Sequence, residues 1–438
     1  MTPFSPLLVP ADLLDAVSGR AWLAAMLDAE RALARAGATA GIVPSDAAAA
    51  IDVACSAGAF DWDALLAEGR RSGNPAEPLV RALVDRVGDD HARWVHLGAT
   101  SQDVMDTAAM LVSRGALELV IGYVDRDAAA CAALARRYRD SPMAGRTLLQ
   151  HAVPTTFGLK AAGWLDGLLD ARARLRDLRG GLTAQLGGAA GTLSALGDRG
   201  PELAALYAAE LDLEEPTLPW HANRVRIAEL GAALEIASGV TAKIALDLEL
   251  LAQTEVGEVR EGVGGPSSAM PHKQNPVGAV LARACAALTT GHASVLRASL
   301  VGEHERAAGA WQAEWDALSG ALATAGGSAA ALAGSLEGLE VEAGRMRANL
   351  DLTRGGIVAE RVAVLLAERL GRDASRALVR EASLRAAASG ASLGDELAGM
   401  DGGLTGDELA AALDPETYLG AAGAFVDRAL ARYAEEGA

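Results

Sequence analysis

The chain has 438 residues and carries 57 Asp and Glu against 39 Lys and Arg, a formal net charge of −18 at pH 7. This charge disfavours a general nucleic-acid binder, which needs a basic face to release counterions, and a protein that binds anionic membrane surfaces. Hydrophobic residues make up 51% of the chain and aromatic residues only 4%. A large core must therefore be built from Ala, Leu and Val, whose small side chains favour long, closely packed helices.

The three cysteines, Cys55, Cys131 and Cys285, are widely spaced and form no CxxC pair. Such a set fits a reducing compartment and predicts neither a metal site nor a redox site. The N-terminal segment has no basic region and is interrupted by prolines, so it lacks the pattern of a signal peptide. The uncharged stretch 317–336 is long enough to span a bilayer but is rich in Ala, Gly and Ser, and a buried helix is expected there. We therefore expect a cytoplasmic protein.

Apolar residues recur at helical spacing along most of the chain, and no run shows the sustained alternation of a strand. The pattern predicts an all-α protein with helices longer than average, arranged in an extended bundle that oligomerisation completes. The predicted helices are 22–36, 47–57, 79–87, 103–140, 154–186, 218–255, 276–300 and 311–349, with shorter helices over 357–390.

The texture of the sequence changes near residue 350, where LTRGG interrupts the helical pattern. We predict an N-terminal helical domain over 1–108, a central domain of long helices over 109–350 and a small helical domain over 351–438.

A glycine-rich loop of about twenty residues, Val256–Pro276, separates two predicted long helices, and loops of this length are usually functional or disordered. It contains a serine, a cation and an amide donor ahead of a proline-led helix start, which predicts a site that binds a carboxylate and abstracts a proton. The alternative is a flexible linker, although linkers rarely carry Met and Pro so densely. The candidate residues are Ser267, Ser268, Met270, His272, Lys273 and Asn275.

Three further segments place polar side chains near predicted helix ends, where hydroxyls and backbone amides can hold an anion. Each has an ordinary alternative: a capping box in the first, a structural histidine in the second and a solvated helix end in the third. The candidates are Thr100, Ser101 and Gln102, then Thr147, Gln150 and His151, and finally His304 and Arg306.

The loop sequence SSAMPHKQNP resembles the GSSxMPxKxNP catalytic loop of the fumarase/aspartase superfamily. GATSQDVMDTA and GRTLLQHAVPTTFG are similar to the other two active-site regions of that superfamily, in the expected order. The resemblance covers nearly the whole chain. It implies an all-α subunit of three domains, whose long central helices form a multi-helix core in a homotetramer. It also implies that each active site is assembled from three subunits and takes a small polycarboxylate.

The resemblance implies roles for the candidate residues. Ser267 matches the general base that removes a proton next to a carboxylate, and Lys273 and Asn275 match residues that stabilise the resulting aci-carboxylate. His151 is placed with the catalytic residues, while the remaining candidates match substrate contacts. No metal is implied, because the sequence has no His/Cys/Glu cluster with the spacing of metal ligands. No organic cofactor is implied, because no phosphate-binding GxGxxG motif follows a predicted strand.

Two departures from the superfamily pattern bear on the reaction. Fumarases, argininosuccinate lyases and adenylosuccinate lyases have a His directly after the threonine that matches Thr147. They also have a Glu five residues after the asparagine that matches Asn275. This chain has Leu148 and Val280 there. An amine or hydroxide leaving group needs an acid to protonate it, whereas a carboxylate leaves as a stable anion.

The two apolar residues are thus compatible with the lactone-forming branch of the superfamily, to which SGNPAEPLV and EHERAAGAWQAEW are similar. They are also compatible with elimination of another weakly basic group such as nitrite. An adenylosuccinate lyase would need a different acid, and a non-catalytic protein on the same fold is disfavoured by the intact Ser267, Lys273 and Asn275.

Overall fold

The structure is a computed structural model that describes residues 2–56, 58, 60–262, 265–266, 270, 273–400 and 404–436. Most of these residues are helical. The helices are α1 (Ser5–Leu8), α2 (Ala11–Ala16), α3 (Gly19–Thr39), α4 (Ser45–Ala54), α5 (Trp62–Gly69), α6 (Ala76–Val87), α7 (Ser101–Arg137), α8 (Phe157–Gly180), α9 (Gly200–Glu210), α10 (Val225–Leu251), α11 (Val277–Ala298), α12 (Ala310–Glu337), α13 (Ala343–Leu350), α14 (Ala359–Leu370), α15 (Arg372–Ser389), α16 (Leu393–Ala398), α17 (Gly406–Leu413) and α18 (Ala422–Glu436). The strands are β1 (Pro142–Thr147), β2 (Gln150–Thr156), β3 (Val259–Glu261), β4 (Gly265–Pro266), β5 (Gln274–Asn275) and β6 (Leu339–Val341).

The predicted all-α class, with helices longer than average, is confirmed. Helices α7, α8, α10, α11 and α12 contain 22 to 37 residues, against a mean of about 11–12 in globular proteins. Small residues allow close packing around α12, where a Cβ on Gly327 would lie 2.8 Å from the Leu8 carbonyl oxygen.

Buried hydroxyls also join the long helices. The Ser328 hydroxyl of α12 donates to the Ala282 carbonyl of α11 (2.8 Å) and lies 2.6 Å from the Thr241 hydroxyl of α10. The three helices are thus linked by hydrogen bonds as well as by apolar contact.

The polar segment that contains Thr147, Gln150 and His151 forms a hairpin, and the prediction that Pro154 opens a helix is wrong. Strands β1 and β2 pair antiparallel from Pro142↔Thr156 to Thr147↔Gln150, and α8 begins only at Phe157. Pro154 is tolerated because the register shifts beside it, between Ala144 and Arg146, where a missing backbone donor costs little.

The hairpin turn consists of Leu148 and Leu149, whose φ angles are 50° and 65°. Two-residue turns of this hand favour Asn-Gly, since a side chain at positive φ is strained. Both leucines are exposed, Leu148 to 97%. Neither backbone preference nor packing within the described chain accounts for them.

The predicted helix over 311–349 is also wrong in its second half. Helix α12 ends at Glu337, strand β6 follows, and α13 completes the segment. The break coincides with a close backbone approach, because a Cβ on Gly262 would clash with the Gly338 carbonyl oxygen. The helices predicted over 154–186 and 218–255 are shorter in the structure as well.

The chain divides into two compact units. The first contains residues 1–125, 170–243 and 281–332, and the second contains 126–169, 244–280 and 333–438. Within the second unit, the shorter helices predicted after residue 350 are confirmed. Helices α14 to α17 share an apolar core that includes Val362, Leu366, Leu393 and Leu397.

Helices α11 and α12 are long and apolar enough to cross a membrane by length and composition alone. In α12, 83% of the apolar window is buried inside the protein, as in a core helix, against 39% in α11. The exposed apolar residues of α11 include Val280, Leu288 and Val295. One face of α11 is therefore apolar and uncovered in the single chain.

Asp127 of α7 gives a test of the packing. Its side chain is fully buried, neither carboxylate oxygen has a hydrogen-bond partner among the described residues, and burial raises its pKa well above the usual range. A raised pKa in the folded state means that stability falls as pH rises from the unfolded value, about 3.9, by about 1.4 kcal/mol per pH unit until the folded pKa is reached. Asp127→Asn should therefore stabilise the protein in urea unfolding, more at pH 8 than at pH 5.

Asp125→Asn is the matched control on the same helix. Asp125 accepts a hydrogen bond from the buried Arg172 at 3.0 Å, so its replacement should destabilise the protein. An Asp127→Asn protein that is no more stable than wild type at pH 8 would contradict the expectation.

Candidate active site

The loop that precedes α7 adopts an unusual backbone. His96 has a φ of 57° and Gly98 a φ of 74°. The His96 ring accounts for the first, because its Nδ1 lies 2.5 Å from a carboxylate oxygen of the buried Glu30. Burial lowers the pKa of His96, but the Glu30 carboxylate raises it by more, so the net pKa is raised. The contact between His96 and Glu30 thus fixes the start of the segment that carries Thr100 and Ser101.

Helix α7 begins with the predicted hydroxyl residues. Thr100 and Ser101 are half-buried, and the Thr100 amide donates to the Asp103 carboxylate at 3.0 Å. This is the back-bond of a capping box in which Thr100 is the cap and Asp103 the third helical residue, whereas the capping interpretation expected Asp103 or Ser101 as the cap. The cap leaves the hydroxyls of Thr100 and Ser101 at a helix N-terminus, where an anion is favoured.

Asp103 also fixes a second loop. Its two oxygens accept from the Gly187 and Gly188 amides, each at 2.9 Å, and one lies 2.6 Å from His221 Nε2. Asp103 and His221 are both buried. A buried carboxylate is tolerated only when donors surround it, and these four donors from three segments satisfy that condition.

Beneath this layer lies a buried ion cluster. The Arg224 guanidinium donates two hydrogen bonds to Asp106, at 2.8 and 3.0 Å, and two to Glu314, one of them at 3.0 Å. The side chains of all three are at most 3% exposed. Burial raises the pKa of Glu314, an effect that the Arg224 hydrogen bond opposes. Trp311 completes the cluster with an indole N–H to Asp106 at 3.1 Å.

Two predicted substrate contacts, Gln102 and Arg306, meet in the structure. The Gln102 side-chain oxygen accepts from Arg306 Nε at 2.9 Å, and its amide donates to Asp106 at 3.1 Å and to the His221 carbonyl at 2.9 Å. Gln102 is fully buried, whereas Arg306 is partly exposed. Gln102 therefore supports Arg306 in this structure. His304, the other candidate of that segment, is exposed at a φ of 50°.

In the second unit, the hairpin is anchored by another buried carboxylate. Glu258 is fully buried and accepts from Arg146 at 2.7 and 2.9 Å and from the Asn349 amide at 2.7 Å. Arg146 is the cross-strand partner of His151. Thr147 and Gln150, which close the turn, are exposed. The anchored strands thus hold two exposed polar candidates beside the histidine.

His151 is suited to proton transfer. Burial and then the Arg146 charge lower its pKa below the usual range, so the imidazole is neutral at pH 7. Its Nδ1 is buried and has no hydrogen-bond partner within the part of the chain that the structure describes. A neutral imidazole can accept a proton.

Part of the predicted catalytic loop lines a cleft of about 760 Å³ in the second unit. Met270, Lys273 and Asn275 lie along it, together with Arg260 and Arg345. The Asn275 amide donates to the Gly265 carbonyl at 3.3 Å. Ser267, Ser268 and His272 lie outside the described residues. Three carboxylates, those of Glu249, Glu261 and Glu342, line the same cleft, and Arg260 is paired with Glu342.

The buried ionic residues were missed in the sequence. Asp103 and Asp106 lie three residues apart at a helix start and have the pattern of ordinary caps. His221 and Arg224 have the same spacing ahead of α10. Charged residues at matching intervals beside apolar helical faces are the available signal, but the sequence does not show which partners they meet.

Comparison with protein families places the chain in a family of lyases. Residues 11–291 match the family model described as "Lyase", and residues 355–429 match "Adenylosuccinate lyase C-terminus". The first match covers more than half of the chain, and the chain belongs to this family, the fumarase/aspartase superfamily. It is an enzyme of that superfamily.

Individual relatives of the chain have two named activities. The chain is 46% identical to a 3-carboxy-cis,cis-muconate cycloisomerase of Bradyrhizobium diazoefficiens, over 98% of each protein. It is 48% identical to a nitrosuccinate lyase of Streptomyces davaonensis, over 97% of this chain and 94% of that protein. The crystal structure of a 3-carboxy-cis,cis-muconate lactonizing enzyme from Pseudomonas putida superposes with a TM-score of 0.94 at 42% identity, covering both chains completely.

Replacing Arg224 by Met should destabilise the first unit by about 3–5 kcal/mol, because two buried carboxylates lose their partner. Urea unfolding measures the loss. Adding Glu314→Gln to the same protein should restore part of it, since one uncompensated charge is removed.

Arg126→Met is the matched control. Arg126 makes the same two-bond contact with Glu337, but both side chains are about half exposed, so the change should cost at most about 1 kcal/mol. Equal effects of the two substitutions would contradict the view that the buried cluster holds this unit together.

Proposed function

We propose that the enzyme is a 3-carboxy-cis,cis-muconate cycloisomerase, which forms γ-carboxymuconolactone in the protocatechuate branch of the β-ketoadipate pathway. The observation that carries the proposal is the replacement of the superfamily's acid/base pair by Leu148 and Val280. Both residues are exposed, to 97% and 49%, so packing within the chain does not explain their apolar character. A leaving carboxylate needs no acid, which makes the replacement chemically acceptable.

The proposed chemistry is proton transfer next to a carboxylate. In lactonisation, one substrate carboxylate adds to a double bond and the neighbouring carbon receives a proton. In the reverse direction, Ser267 removes that proton. Lys273 and Asn275 stabilise the aci-carboxylate dianion, since fixed donors that meet developing charge are usually the largest catalytic contribution. His151 takes part in proton transfer, supported by its lowered pKa.

The remaining candidates hold the carboxylates of a small polycarboxylate substrate. Thr100 and Ser101 at the start of α7 and the partly exposed Arg306 supply neutral and cationic donors. The proposed contacts also include Thr147, Gln150, Ser268, Met270, His272 and His304, whereas the buried Gln102 supports Arg306.

We further propose a cytoplasmic homotetramer with active sites shared among three subunits and the domain boundaries given above. The exposed apolar residues of α11 and the exposed leucines of the hairpin turn support subunit contacts, because a single chain leaves them in water. The three cysteines are free and buried, which fits a reducing compartment.

A second candidate is a β-eliminating lyase that releases nitrite from nitrosuccinate. It is favoured by the 48% identical relative of that name and by the same apolar pair, since nitrite is also a weak base. Adenylosuccinate lyase is less favoured, because its amine leaving group requires the acid that Leu148 and Val280 do not supply.

Ser267→Ala should lower kcat by orders of magnitude, because the proposed base is lost while the fold is retained. The decay of substrate ultraviolet absorbance measures turnover, and gel filtration monitors assembly. Ser294→Ala, at an exposed helical serine whose hydroxyl bonds to Gly291, is the control and should keep full activity. Near wild-type turnover by Ser267→Ala would rule out the base assignment.

A comparison of turnover of the two candidate substrates tests the proposed reaction itself. Purified enzyme given 3-carboxy-cis,cis-muconate and nitrosuccinate in separate assays should show a kcat/KM higher by orders of magnitude for the muconate. A preference for nitrosuccinate, with nitrite release, would replace the cycloisomerase assignment by the lyase.

A further inference from the structure

Glu261, the last residue of strand β3, joins the two ends of the segment 262–276. Glu261 is 8% exposed, and its carboxylate accepts hydrogen bonds from the Gly278 amide at 3.1 Å and the Ala279 amide at 2.9 Å. These amides belong to the first turn of α11, where backbone donors have no partner within the helix. A carboxylate at this position is also favoured by the helix dipole.

The strand that carries Glu261 cannot shift easily. Strand β3 pairs with β6, Glu261 lying opposite Leu339. The next residue, Gly262, packs so tightly on the Gly338 carbonyl that no side chain would fit. The carboxylate of Glu261 is therefore presented to α11 from a fixed backbone.

A second link closes the same segment further along. Gly265 and Pro266 pair with Asn275 and Gln274 as the short strands β4 and β5. Lys273 comes directly before β5, Asn275 ends it, and Pro276 alone separates Asn275 from the first turn of α11. The position of that turn sets the position of both residues.

We propose that Glu261 is a positioning residue for Lys273 and Asn275. By holding the first turn of α11, its carboxylate fixes the backbone from which these two side chains reach the substrate. This inference rests on the proposed function of the two residues. Because Glu261 already occupies the Gly278 and Ala279 amides, the substrate carboxylate is bound by side chains and not by those helix amides.

Glu261→Ala and Glu261→Gln test the inference. Glu261→Ala should lower kcat roughly tenfold to a hundredfold with less than about a threefold change in KM, because misplaced groups cost rate. Glu261→Gln retains one carbonyl acceptor and should recover part of kcat. Glu340→Gln is the matched control: Glu340 lies on β6, is largely exposed and pairs with Arg260 at 3.1 Å, and its replacement should leave kcat unchanged.

Limited trypsin cleavage after Lys273 gives a readout that does not depend on turnover. Lys273 is exposed, and loosening of the α11 start should speed cleavage there about tenfold in Glu261→Ala, with a smaller effect in Glu261→Gln and none in Glu340→Gln.

The outcomes separate the two proposals. A Glu261→Ala protein that loses thermal stability but keeps wild-type kcat and cleavage rate would overturn the inference, since Glu261 would then be only a helix cap. If wild-type enzyme turns over neither candidate substrate, the proposed function fails, and the cleavage rates alone decide whether Glu261 holds Lys273 in place.

Discussion

The first unit depends on the buried guanidinium of Arg224. Desolvating three charges costs several kcal/mol each, so Asp106 and Glu314 are tolerated only while both contact this one cation. The contact fixes α7 and α12 against the segment before α10. The buried amide of Gln102 is hydrogen-bonded to both Asp106 and Arg306, so it connects the buried cluster to a partly exposed guanidinium. The polar surface above α7 is thus placed by charges that never contact solvent.

The second unit uses the same principle with different residues. Glu258 is buried, is held by Arg146 and Asn349, and fixes the strands that present His151. In both units, a fully satisfied carboxylate lies beneath the groups proposed to contact substrate. The side chains of such a network cannot shift far, because a buried charge that loses part of its hydrogen bonds destabilises the fold more than an apolar residue would. This rigidity suits catalysis that relies on preorganised donors.

Much of the fold follows from the sequence, because helical periodicity is strong wherever α7 to α12 bury an apolar face. The hairpin does not, since residues 142–156 show no alternation and Pro154 fits a helix start equally well. The buried cluster was missed for a related reason: polar residues at a helix start predict capping contacts, and Asp103 does accept such a bond from Thr100. The sequence predicts which polar segments form the candidate site, but it does not predict which of their side chains are buried. Gln102 shows the difference, because a side chain expected at the substrate is fully buried.

The turn at Leu148 and Leu149 has a consequence for protein engineering. Each leucine holds a left-handed conformation that costs roughly 1–2 kcal/mol, and each exposes its apolar side chain. A stability-guided redesign of the single chain would replace both with Asn-Gly and count the change as a gain. Residues that are unfavourable by both measures are usually kept for what they contact. Automated stabilisation of this enzyme should therefore leave the turn untouched. An Asn-Gly turn would stabilise the isolated hairpin, but it would remove the Leu148 side chain, which lies where the other enzymes of the superfamily have a histidine.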